Sequence, residues 1–300
     1  MWLYLGIFSA LFLGLYDISK KHSLQKNAVL PVLFFSTVFA AAMVMPAIIL
    51  SGFYPEYMAK AGIYVPAISL TGHLHIFAKS AIVSASWVLS YLALKNLPIS
   101  IATPIWASGP LWVLLGAIAF FHEQPTTLQY LGMGTMIVSY YAFSVIGSKE
   151  GIRFHADKWV MFMLLGTLIG TCSALYDKYL IQKLGYSPVA VQAWFSIYLV
   201  VILGAVVSAF WIPQRKNHTP FEWRWSIPFI GVFLIVADFA YFRALTYQGS
   251  LIAILSTLRC SSIIVSFMGG VILFKEMRMM HKAFALCGIL AGVFLILSSK

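Results

Sequence analysis

Apolar residues in this chain come in long, nearly unbroken runs, with polar residues confined mostly to short stretches between them. A helix that crosses a bilayer needs about 20 mostly apolar residues. By that measure the sequence predicts ten spans: 2–17, 28–51, 73–95, 99–120, 127–147, 159–177, 188–211, 227–246, 250–273 and 283–298. Several are rich in Val, Ile, Phe and Gly, which a membrane helix tolerates because its backbone bonds are satisfied internally. The connections are short except 52–72 and 212–226, and residues 61–70 are apolar but too few to cross, so they read as an interfacial segment.

The runs repeat. Leu15-Tyr16-Asp17 returns as Leu175-Tyr176-Asp177, and Phe35-Ser36 returns as Phe195-Ser196 at the same offset. Ala93-Leu94 and Ile101-Ala102 are echoed by Ala244-Leu245 and Ile252-Ala253, and Glu123 by Glu276. Such self-similarity divides the chain into a first unit over 1–147, a connecting loop over 148–158 and a second unit over 159–300. Five spans is an odd number, so the second unit enters the bilayer from the opposite face. The expected fold is an all-α membrane protein of ten transmembrane helices arranged as two inverted five-helix repeats, a plan that recurs among secondary transporters.

Composition narrows the class. The chain is 61% hydrophobic and 10% charged, against roughly 25% charged for a soluble domain. Too few charges remain to clothe a water-facing surface. The net charge of +11 comes mostly from residues placed between apolar runs, so it reads as orientation and headgroup contact, not nucleic-acid binding. Lys20, Lys21, Lys26, Lys95, Lys149, Arg153, Lys158, Arg215, Lys216, Arg224, Lys275, Arg278 and Lys282 fall on one side, and Lys60, Lys178, Lys183 and Lys300 on the other. On charge alone the first side is cytoplasmic and both termini are outside. Cys172, Cys260 and Cys287 lie in apolar runs without ligand spacing and read as small core residues. No nucleotide-binding or hydrolase motif is present, so neither an enzyme nor a cofactor is expected, and His73-x-His75 lacks a third ligand for a metal.

Charged residues inside a span are costly and usually face a cavity or a partner. Lys79, Asp238, Arg243 and Arg259 qualify, three cations to one acid, an excess that suits an anionic or zwitterionic ligand. Asp238 paired with either arginine, and Lys79 snorkelling to the interface, are the structural alternatives. Trp87, Tyr91, Trp106 and Tyr241 are the aromatic candidates for a binding cavity. Asp17, Asp177, Glu123 and Glu276 stand at helix ends, where they read either as gates or as helix-end pairs and caps.

These features resemble the EamA-like members of the drug/metabolite transporter superfamily. The resemblance rests on Ala93-Leu94-Lys95-Asn96-Leu97-Pro98 before the fourth span, Phe120-Phe121-His122-Glu123 after it, and Leu131-Gly132-Met133-Gly134 in the fifth. The second unit repeats the pattern at Ala244-Leu245, Leu273-Phe274-Lys275-Glu276 and Cys287-Gly288-Ile289-Leu290-Ala291-Gly292, with Gly249 in place of the proline. The resemblance implies a carrier working by alternating access, with a cavity lined by helices 1, 3, 4, 6, 8 and 9. The expectation is an ATP-independent transporter of a small organic metabolite, an amino acid or organic anion, multi-pass in a bacterial cytoplasmic membrane. Its partners would be the substrate, the bilayer and a coupling proton or cation. An exporter of drugs or lipid-linked substrates is the alternative, and a non-transporting scaffold or receptor comes after it.

Overall fold

The computed structural model describes residues 1–96, 105–106, 108–145, 158–215, 219–274 and 279–299. All regular structure among them is helical. The first unit comprises α1 (Trp2–Leu24), α2 (Val29–Phe53), the short α3 (Pro55–Lys60), α4 (Leu70–Asn96), α5 (Gly109–Phe121) and α6 (Thr127–Val145). The second comprises α7 (Lys158–Lys178), α8 (Pro188–Val206), α9 (Ser226–Leu245), α10 (Ile252–Arg259), α11 (Ser262–Phe274) and α12 (Met279–Leu297). Two helices end in a π turn, α7 through Tyr179–Lys183 and α8 through Val207–Trp211. Prolines sit in the first turns of α5 and α8, where a missing N–H costs nothing. Pro46 lies within α2, an interruption that membrane helices tolerate.

The surface is the reverse of a soluble one. Phe120 is 74% exposed, while Lys79 is 2% exposed and Ser9 and Ser80 are fully buried. Large apolar side chains on the outside and polar ones within are what lipid selects. Among the described residues six helices are long and apolar enough to cross a membrane, and three shorter apolar helices accompany them, over Gly109–Phe121, Ile252–Ser266 and Cys287–Leu297. One predicted span, 250–273, is split into α10 and α11 at Cys260-Ser261, where bonds to Thr257 and Leu258 tighten the turn. The chain is an all-helical membrane protein.

The packing exchanges between the units. Helix α1 lies along α9 as α7 lies along α4; α2 meets α9 as α8 meets α4; α1 meets α11 as α7 meets α5. The α2–α8 and α6–α12 contacts map onto themselves. Without a hydrophobic force between helices in lipid, close approach rests on small residues. Gly132 of α6 and Gly292 of α12 face one another, since a Cβ on either would lie 2.8 or 2.7 Å from the other's carbonyl oxygen. Between α4 and α7, Ser86 Oγ donates to the Gly166 carbonyl at 2.7 Å.

Two expectations need correction. Lys20 and Lys21 belong to α1, and Lys178 closes α7, so none of the three lies in a loop. A lysine with a partner, or one that snorkels, does not end a membrane helix. Cys172 and Cys287 are exposed, not core residues, because a thiol meets lipid as readily as it meets a core. Residues 61–69 run without regular structure after α3, and Val65, whose N–H donates to Ser51 Oγ at 2.9 Å, is buried against Ala190 and Ala193.

Candidate functional site

Helix α4 carries functional side chains at two depths. Lys79 and Tyr91 are twelve residues apart, so about 18 Å separates them along the axis at 1.5 Å per residue. Each marks one end of the molecule. The end near Lys79 also holds the α7 π turn and the start of α10, and is called here the far end. The end near Tyr91 holds the α1–α2 loop and residues 219–226, and is called the basic end.

At the far end Asp177, Asp238 and Glu123, the acids inside the bundle, each have a cation. Lys79 pairs with Asp177 of α7, their side chains 3% and 8% exposed. The Lys79 ammonium also lies 4.3 Å from the Phe195 ring centre and 5.0 Å from that of Phe242, a cation–π environment. Arg259, the last residue of α10, donates to Asp238 of α9 at 2.6 Å and stacks 4.3 Å over the Tyr241 ring. The Asp177 carboxylate feels the charges of Lys79, Asp238 and Arg259 together, so these groups form one cluster.

A second knot adjoins it. His122 adopts a left-handed backbone, φ 53°, which ends α5 and turns the chain. Glu123 follows and is 5% exposed. It accepts the N–H of Ile252 at 2.6 Å and of Ala253 at 3.3 Å, the first two residues of α10. Free backbone donors and the positive end of the helix dipole make that position suit a carboxylate. Lys178 completes the pair, 2.5 Å from Glu123, and donates also to the Ser250 carbonyl. Gln182 of the π turn ties Leu245 O and Ser250 Oγ to the same knot, both at 2.8 Å.

Buried pairs of this kind contribute little net stability when intact, yet removing one partner costs about 3–5 kcal/mol because a lone charge stays behind. The far end is therefore closed by contacts that can be broken only together with a change of packing. The excess of Lys79, Arg243 and Arg259 over Asp238 read from the sequence is not there: Lys79 is matched by Asp177 and Arg259 by Asp238, leaving only Arg243. Asp177 partners Lys79, not its neighbour Lys178, and Lys79 is buried instead of snorkelling. Arg243 is exposed. His73 and His75 bond to Tyr198 OH and Tyr186 OH.

The basic end is built from similar parts, held loosely. Lys20 of α1 lies 4.8 Å from the ring centre of Tyr16, 5.4 Å from Tyr91 and 5.7 Å from Trp106. The two tyrosine hydroxyls are 3.4 Å apart. Its anionic partner is Asp17, one turn earlier at 3.3 Å, with side-chain exposures of 19% and 40%. With its acid 40% exposed to solvent screening, this pair is worth about 1 kcal/mol. Lys20 and Tyr91 also line a cavity of about 650 Å³ between α1, α2, α4 and the α8 π turn. Among the described residues its wall includes two lysines, Lys20 and Lys26, and no acid. This cavity draws on the first and third spans, as the resemblance implies, but also on the second and seventh.

Trp87 lies between the two ends on α4 and packs beside Tyr16, Tyr91 and Tyr241. Glu276 lies outside the described residues. Tyr16 and Ser250 are members that sequence reading passed over, although Tyr16 was inside the repeated Leu-Tyr-Asp. Lys20 was read as the helix-end partner of Asp17, one turn away, and is so paired; Lys178 was read as the partner of Asp177 and pairs with Glu123 instead.

The model of the EamA-like transporter family matches residues 1–145. A crystal structure of another protein aligns over 98% of this chain and 94% of its own, with a TM-score of 0.71 at 15% identity, a likeness of fold. Among curated proteins none matches in sequence. That family is one of transporters and not of enzymes. Residues 1–145 thus match the EamA-like transporter family, of the drug/metabolite transporter superfamily, and with the apolar helices they mark the chain as a multi-pass membrane protein.

Proposed function

We propose that the chain is an ATP-independent carrier for a small organic metabolite, an amino acid or organic anion, working by alternating access. The observation that carries this reading is the inequality of the two ends. The far end is closed by three ion pairs with side chains no more than 20% exposed, while the basic end holds a cavity of about 650 Å³. One closed end and one open end is the arrangement an alternating-access carrier adopts in each half of its cycle.

The exchange of packing between the units supports two inverted five-helix repeats, with α10–α11 as one span broken after Arg259. Broken helices at the midplane are a recurrent way to hold a substrate or coupling ion. Asp177 and Glu123 act in this reading as gate groups of the far end, and Asp17 as that of the basic end. Lys79, Asp238, Arg259 and Tyr241 would meet the substrate when the far end opens; Tyr91, Trp106 and Trp87 would meet it from the basic end. The charge bias puts the basic end in the cytoplasm, and a bacterial cytoplasmic membrane is the setting we assign.

Counterflow in proteoliposomes without nucleotide is the test. Vesicles loaded with an unlabelled amino acid or carboxylate should accumulate its labelled form transiently above the level in protein-free vesicles. Failure across a panel of amino acids, monocarboxylates and dicarboxylates, with correctly inserted protein, would sink the reading.

A further inference from the structure

We infer that the cavity at the basic end is a binding site for an amphiphilic organic anion, with the anionic head on Lys20 and the apolar body along the helix walls. The inference rests on the carrier reading for its use, though the binding itself does not require transport.

The chemistry follows from what surrounds Lys20. Three aromatic faces, Tyr16, Tyr91 and Trp106, hold the ammonium in place without neutralising it. Its anionic partner, Asp17, is at 3.3 Å and 40% exposed, whereas Glu123 and Asp238 of the far-end pairs are nearer their cations and only 2% and 13% exposed. Asp17 is three residues away on the same helix, so it can rotate into water as an incoming head takes its place. Lys79 and Lys178 at the far end, each on a buried acid from another helix, lack that freedom. A placeholder acid beside an oriented cation is what a site for an exchangeable anion needs.

The walls choose the rest of the ligand. Leu24, Val29, Val88, Leu92 and Phe210 line the cavity, so a ligand with an apolar body buries that body against hydrocarbon. The volume is in the range of small-molecule pockets, which combine apolar walls with a few placed polar groups. At the rim, Lys26 holds a left-handed backbone, φ 52°, at the turn between α1 and α2, and adds a second positive charge to the same wall. Phe210 is 64% exposed on the outer surface, so the cavity borders the bilayer as well as the aqueous end. A soluble aryl or alkyl carboxylate and the head of an anionic phospholipid share the required chemistry.

The test uses the full chain in phosphatidylcholine nanodiscs, with 4-phenylbutyrate as probe and its neutral amide, 4-phenylbutyramide, as the shape-matched control. Tryptophan fluorescence and the thermal midpoint are the readouts. The acid should bind saturably, at least tenfold tighter than the amide. Lys20→Gln should lose that tenfold preference, and Lys60→Gln, an exposed lysine at the far end, should keep it. Asp17→Asn, which removes the internal competitor, should tighten binding several-fold; it keeps the proposal open to refutation if Lys20→Gln misfolds. Repeating the titration with rising phosphatidylglycerol separates the sources: Lys20-dependent competition assigns the site to a lipid head, and an unchanged affinity assigns it to a soluble anion. Equal binding of acid and amide, or Asp17→Asn binding no tighter, overturns the proposal. Lys20-dependent binding without counterflow would sink the carrier reading and leave this site standing.

Discussion

The two ends of the molecule use the same vocabulary, a cation, an acid and aromatic faces, and reach opposite outcomes. At the far end Lys79, Asp177, Asp238, Arg259 and Tyr241 come from four different helices, and the groups exclude water from one another. At the basic end Lys20 and Asp17 come from one helix and stay partly exposed. Contacts between helices lock packing; contacts within a helix do not. The difference teaches that what makes a charged pair a closure is which elements it joins, more than which residues form it.

Mutations can break that contrast. Lys79→Met leaves Asp177 buried and alone, and should destabilise the protein by about 3–5 kcal/mol in reversible denaturation, while Lys79→Met with Asp177→Leu should recover most of the loss. A single variant as stable as the parent would mean the far end is not closed by this pair. Glu123→Gln should come next, about 2 kcal/mol, because it strips the charge from hydrogen bonds to Lys178, Ile252 and Ala253. In a background with Cys172, Cys260 and Cys287 replaced by serine, a cysteine at Thr219 should react with a charged maleimide roughly tenfold faster than one at Ser250, since thiol reactivity follows exposure. Equal rates would erase the distinction between open and closed ends. Asp17→Asn should change stability least, by under about 1 kcal/mol, and a larger loss would show that the basic end is as locked as the other.

Much of the fold was legible because lipid makes hydrophobicity and length the same signal. Each of the ten apolar runs coincides with helix in the described residues, and the repeated Leu-Tyr-Asp marks α1 and α7 correctly. The site was legible as a set of residue types and not as partnerships. Lys79, Asp238, Arg259 and Tyr241 do converge, because a charge inside a span has few places to go. Lys20 and Lys178 were legible only as helix-end partners of Asp17 and Asp177, because a charge near the end of an apolar run looks like the start of a loop. Yet α1 continues to Leu24 and α7 into its π turn. That Asp177 chooses Lys79 over the adjacent Lys178 depends on which face of α7 meets α4, which only packing decides.

Helix α4 runs without interruption from Leu70 to Asn96, and this has a mechanical consequence. A rigid rod that touches both ends works as a seesaw. Tilting it by about 10° around its middle shifts Lys79 and Tyr91 by about 3 Å relative to each other, given their axial separation of roughly 18 Å. That is the length of a hydrogen bond. A tilt that moves Lys79 one way moves Tyr91 the other, so the stiffness of the helix ties the position of one to that of the other.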